Sequence, residues 1–150
     1  MPATRRSGFT LIEIMIVVVI LATLAATIIP QFSTSVNDSK AATMQSSLAT
    51  MRTQLQYYAL QHNGQFPTIS NAALPQLTGN TDVNGNLGTG GVFIYGPYVQ
   101  TQIPINPIDG NNTVSATTVF PPTAATGAGG WLYDSATGQI APNDTGYLNN

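Results

Sequence analysis

The sequence predicts an α+β protein in which one long N-terminal helix, apolar in its first half and amphipathic in its second, packs on a small C-terminal antiparallel sheet with long loops. Three observations carry this expectation. Residues 9–29 form an apolar stretch whose single charge is Glu13. Residues 32–61 contain no glycine or proline, and Ala41, Met44, Leu48, Met51, Leu55 and Tyr58 recur there at alternating steps of three and four, the period of one helix face. After Pro67 the composition shifts to glycine, proline, asparagine and threonine, with short strand-like runs between turn signals.

The apolar stretch follows Arg5 and Arg6, two of the four cations in the chain, the others being Lys40 and Arg52. A membrane-spanning helix needs about 20 predominantly apolar residues, so residues 9–32 suffice. Basic flanks resist translocation. The chain is therefore expected to cross a membrane once, with its N-terminus cytoplasmic and the remainder outside. An ordinary secretory signal has the same order of basic residues and apolar core. The length of the run counts against that reading, as does the place of the best small-residue cleavage site, Ala22 to Ala26, inside the run. Glu13 is the feature that needs explaining, because a carboxylate within an apolar helix costs about 2.5–3.5 kcal/mol on insertion scales. No lysine or arginine lies within a helical turn of it. Cleavage between Gly8 and Phe9 creates an α-amine four residues before Glu13, in the same chain or a neighbour. Such a pair serves better to fix register than to add stability.

Gly8-Phe9-Thr10-Leu11-Ile12-Glu13 resembles the class III signal of type IV pilins and type II secretion pseudopilins. Counted from Phe9, Glu13 is the fifth residue and Pro30 the twenty-second, both at the family's spacing. The resemblance implies the pilin fold, cutting after Gly8 by a prepilin peptidase, N-methylation of Phe9, and assembly through Phe9, Glu13 and Pro30. It divides the chain into a leader (1–8), a transmembrane and polymerisation helix (9–31), an amphipathic helix (32–62) and an extracytoplasmic region of sheet and loops (63–150). Pro30 removes a helical N–H and crowds the preceding turn, which predicts a kink or local loosening; a helix end at the membrane boundary is the alternative. In the family this segment is thought to extend when subunits pack.

Through Gln61 the helix would reach roughly 80 Å at about 1.5 Å per residue. Asn63-Gly64 is placed to end it, with glycine suited to a left-handed cap. Beyond it, residues 71–77 are expected to form a short helical turn, residues 80–91 and 106–129 loops, and residues 92–95, 130–134 and 139–142 strands, the last two joined through Ser135-Ala136-Thr137-Gly138. Gly96-Pro97-Tyr98-Val99, Ile103-Pro104-Ile105-Asn106-Pro107 and Gly130-Trp131-Leu132-Tyr133-Asp134 are similar to the major pseudopilin branch.

Little else carries chemistry. The net charge is −2 and only 7% of residues are charged, against roughly 25% in an ordinary globular protein, so no basic footprint for nucleic acid exists. Without cysteine neither disulfides nor thiolate metal sites form. His62, the single histidine, reads as a solvated cap residue at the helix end. The segment from Asp82 to Gly88 offers oxygen ligands but has Leu87 where an EF-hand needs glycine and Phe93 where it needs glutamate, so Asn84-Gly85 reads as a turn. Major pseudopilins often bind one calcium; its weak candidates here are Asp109, Asp134 and Asp144, and no other cofactor is expected. The resemblance thus implies a structural subunit and not an enzyme: a homopolymer of a type II secretion pseudopilus, handled by prepilin peptidase, minor pseudopilins, the inner-membrane assembly platform and membrane lipid. A surface pilin for adhesion, motility or DNA uptake is the alternative within the family. A membrane-tethered binding module that never polymerises is the alternative of another class.

Overall fold

The computed structural model describes residues 8–126 and 129–148. Arg5, Arg6 and the rest of the expected leader before Gly8 lie outside the described residues. The chain divides into two units, one through Ser39 and one from Lys40 onward. Helix α1, Leu11–Gln61, is continuous in both.

In the first unit every described residue is exposed, including Phe9, Ile14, Val17 and Leu21. Hydroxyls in this run are satisfied locally. Thr23 donates to Ile20 O at 2.8 Å and Thr27 to Thr23 O at 3.2 Å, which keeps both side chains compatible with hydrocarbon. Pro30 lies inside the helix, so the boundary reading of that proline is corrected. Proline removes one N–H and crowds the preceding turn, yet α1 continues past it to Gln61.

The second unit is built on the stripe. Met44, Leu48, Met51, Leu55 and Tyr58 are buried together with Leu74, Leu77, Ile103, Val114, Trp131, Tyr133 and Ile140. At the end of α1, Gly64 N–H reaches Ala59 O at 2.8 Å, and Asn63 and Gly64 both carry positive φ, the expected left-handed cap. The short helix α2 is Pro75–Thr78, a few residues later than the composition suggests, because proline pre-sets the first helical position.

Strands β1 (Val114–Ala116), β2 (Trp131–Asp134) and β3 (Gln139–Pro142) form one sheet in that order. β2 and β3 pair antiparallel, with Tyr133 opposite Ile140. β1 pairs parallel to β2, with Val114 opposite Trp131. The sheet is therefore mixed rather than wholly antiparallel, and β1 comes from a stretch read as loop. Residues 92–95 are not a strand. Tyr95 alone bridges Thr81 (N–H···O 2.9 and 3.1 Å), and the glycines before Val92 together with Pro97 leave no partner for more. Buried aromatics keep their polar ends bonded, Trp131 Nε1 to Pro104 O at 2.8 Å and Tyr133 OH to Pro67 O at 2.9 Å.

Two features set the sheet's edges. Asn143 N–H reaches Gly130 O at 3.0 Å, so the ladder between β2 and β3 falls on Ala141 and Gln139, and the backbone of Ile140 and Pro142 faces outward. There, Arg52 Nη2 donates to Ile140 O at 3.2 Å and Pro142 has no N–H to offer. On the other side, Val114 N–H bonds Ala72 O at 2.8 Å. Ala72 belongs to a tight turn closed by two Ser70–Ala73 hydrogen bonds of 3.0 Å. Its central residues, Asn71 and Ala72, have φ of 50° and 54°. Such turns favour Asn-Gly, and alanine is the strained member. Ala72→Gly is expected to stabilise the chain by about 0.5–1 kcal/mol, relief of the left-handed strain being partly offset by glycine's greater unfolded freedom. Urea unfolding of the detergent-solubilised chain, followed by Trp131 fluorescence, measures this; a lower midpoint overturns the turn assignment.

Candidate processing and assembly site

The sequence-predicted site lies at the start of α1. Gly8 and Phe9 precede the helix and are exposed, Phe9 by 83%. A Cβ built on Gly8 meets nothing within 4 Å, so the glycine is not demanded by packing.

Glu13 has a partner the sequence reading did not assign. One carboxylate oxygen, Oε2, accepts from Thr10 N–H at 2.7 Å and from Thr10 Oγ1 at 2.7 Å, while Glu13 N–H reaches Thr10 Oγ1 at 3.3 Å. Thr10-Leu11-Ile12-Glu13 is thus a reciprocal capping box, the threonine closing the first turn and the glutamate reaching back. It explains why α1 begins at Leu11. The signal was present in the sequence as Thr-x-x-Glu before an apolar run. A negative group in the first turn also suits the helix dipole. The cap engages Oε2 alone in these bonds, and the register pairing expected for Glu13 concerns the same carboxylate. Phe9 and Glu13 are brought to one helix end, whereas Pro30 stands well along the same helix.

His62 is corrected from a solvated cap to a buried residue, 1% exposed. Its ring stacks on Tyr58 with centroids 3.8 Å apart. Nδ1 lies 2.8 Å from Tyr58 O and Nε2 2.9 Å from Thr81 Oγ1. The carbonyl can only accept, so Nδ1 carries a proton and donates. Spacing already pointed there, since four residues past Tyr58 the stripe arrives at His62. Beside it, Tyr98 OH donates to Gln61 Oε1 at 2.6 Å, and burial pushes the Tyr98 phenol up to about 12.

The three aspartates do not converge. Asp109 accepts from Asn111 N–H at 2.8 Å and Gly130 N–H at 2.6 Å. Asp134 accepts from Ala136 N–H at 2.9 Å and Thr137 Oγ1 at 2.8 Å, and Asp144 from Gly146 N–H at 2.9 Å. Among the described residues no group of three or more His, Cys, Asp or Glu is placed to hold a metal. Asp82 organises its own turn, accepting from Asn84 N–H and Asn86 N–H at 2.9 Å each. The Asn86 side-chain bond at 2.9 Å, the largest of these effects, holds the Asp82 carboxyl below the usual carboxylate range.

Comparison with known proteins agrees with the N-terminal geometry. Residues 3–29 match the prokaryotic N-terminal methylation motif. The chain is also similar to the type II secretion system core protein G of Pseudomonas aeruginosa, 36% identical over 83 residues, which cover 53% of this chain and 58% of the relative. The chain thus spans little more than half the length of the relative it matches. No solved structure matches. Among the described residues, α1 alone is long and apolar enough to cross a membrane. In its N-terminal motif and over those 83 residues, the chain is similar to type IV pilin-like proteins that stand near the pseudopilins.

Proposed function

We propose that the chain is a structural subunit of a type II secretion pseudopilus, anchored by one membrane span with its N-terminus in the cytoplasm and polymerising through α1 to drive protein export. The observation that carries this is the pairing of a methylation motif at residues 3–29 with similarity to a type II secretion core protein. The geometry supports it. An exposed apolar helix is followed by a second unit that buries its own core, so the first unit keeps an apolar surface for lipid or for neighbouring copies.

Processing by a prepilin peptidase, followed by N-methylation, belongs to this reading. The mature chain is expected to begin at methylated Phe9. Gly8→Ala leaves cutting intact, while a bulky residue at that position blocks it. N-terminal sequencing and intact mass of the membrane-extracted chain check this, and any other first residue overturns it. A surface pilus uses the same processing. Deletion of the chain's gene separates the two roles: loss of exoprotein release supports the pseudopilus, and loss of surface fibres with secretion intact supports the pilus.

A further inference from the structure

Two exposed apolar faces of the second unit lie on opposite flanks of the buried stripe of α1. At about 100° per residue, Gln54 and Gln61 fall on one side of Met51, Leu55 and Tyr58, and Arg52 falls on the other. Gln54 and Gln61 line a groove of about 280 Å³ with Ile94 and Tyr98, and Ile94 continues into a second hollow with Val83 and Val92. Val92 and Ile94 are 67% and 71% exposed. On the opposite flank, Arg52 lines a cleft of about 200 Å³ with Phe120, Pro121 and Pro122, beside Val119, which is 52% exposed.

These side chains are not accidental surface in a chain so poor in charge. Isolated exposed apolar residues need no explanation, whereas contiguous ones mark contact surfaces. The two faces also differ in sign. Asp82 borders the hollow of Val83 and Val92, and the Asn86 bonds of its turn hold its carboxyl below the usual carboxylate range. Arg52 borders the other cleft, with one nitrogen on Ile140 O. An apolar face edged by an anion and an apolar face edged by a cation are complementary to each other, and each is poorly matched to itself.

We propose that the occupant of each face is a second copy of this chain, the Val83–Val92–Ile94 face of one subunit seating against the Val119–Pro121 face of the next. The inference rests on the filament reading and adds which surfaces meet. A contact between two different faces is heterologous, and on opposite flanks it does not close into a dimer; it propagates into an open helical array. Asp82 and Arg52 set orientation at the rim more than affinity.

The chain contains no cysteine, so introduced thiols report this contact alone. In full-length chains expressed in membranes, Val92→Cys and Pro121→Cys are combined and treated with a short bis-maleimide. The expected product is a ladder of dimers, trimers and higher species, while Val92→Cys and Pro121→Cys mixed as single variants stop at the dimer. Adding Ile94→Asp to the double variant should cut the ladder at least tenfold, with unchanged membrane level and thermal unfolding. Self-dimers of Val92→Cys alone, a ladder indifferent to Ile94→Asp, or sheared filaments of normal yield without a ladder each overturn the proposal. Absence of filaments from the parent chain overturns the pseudopilus reading itself, and the proposal with it.

Discussion

Glu13→Leu is expected to leave the chain processed and inserted in the membrane but at least tenfold depleted from sheared filaments. Insertion is not impaired, because the cost of a carboxylate in hydrocarbon, about 2.5–3.5 kcal/mol, disappears with it. Cutting is not impaired either, because the proposed peptidase site is Gly8 and Phe9. What leucine removes, under the proposed assembly, is the carboxylate that would meet a neighbour's Phe9 amine in a low-dielectric setting, where charge attraction is stronger than in water although desolvation offsets much of it. It also removes the glutamate half of the capping box, the two bonds from Thr10 to Oε2, while the backbone N–H at position 13 still reaches Thr10 Oγ1. The structure therefore calls for a second variant. Glu13→Gln keeps an acceptor oxygen for Thr10 N–H and Oγ1 and discards the charge. If the charge sets register, Gln fails as Leu does; if the cap is what matters, Gln assembles and Thr10→Ala fails. Equal polymerisation of Glu13→Leu and parent, at the same subunit spacing, removes the register role altogether.

The second large effect is expected at Gly130. Its φ is +77°, and a Cβ there meets the Thr113 backbone, with its N at 2.8 Å. The neighbouring geometry leaves no room to move. Gly130 N–H is held by Asp109 at 2.6 Å, Gly130 O accepts from Asn106 Nδ2 at 3.0 Å and Asn143 N–H at 3.0 Å, and Trp131 N–H bonds Thr113 O at 2.8 Å. Left-handed strain and backbone crowding together make Gly130→Ala cost about 3–5 kcal/mol, a large share of the stability of a small domain. Urea unfolding by Trp131 fluorescence checks it. A loss below about 0.5 kcal/mol, the ordinary range for a surface change, refutes the account of this crossing.

Much of the fold was legible because one strong periodicity runs through the second half of α1 and a turn signal separates the last two strands. The step of three and four from Met44 to Tyr58 names the buried face of α1 directly, and β3 appears at the residues the pattern gives. The rest was hidden for definite reasons. β1 is three residues long with one buried side chain, and its parallel pairing depends on distant residues, the Ala72 carbonyl and the crossing at Gly130. Residues 92–95 have strand composition, but composition supplies no partner edge. At the site, Gly8, Phe9 and Glu13 stand at the family's spacing, yet spacing alone did not show what Glu13 touches. Reading Thr10 and Glu13 as a pair requires treating the helix start as a set of orphan N–H groups in want of acceptors. His62 was misjudged because it was read as the end of the helix instead of the next step of its stripe.

The closed outer edge of β3 bears on how a fibre of such subunits comes apart. Arg52 occupies Ile140 O, and Pro142 offers no donor, so a second sheet finds no ladder to extend there. Subunits crowded in a membrane are thereby kept from zipping through that edge into cross-β stacks, whose exchange is extremely slow. In the proposed filament, contacts at this edge are made by side chains, and a subunit that leaves has no backbone ladder to unpeel there.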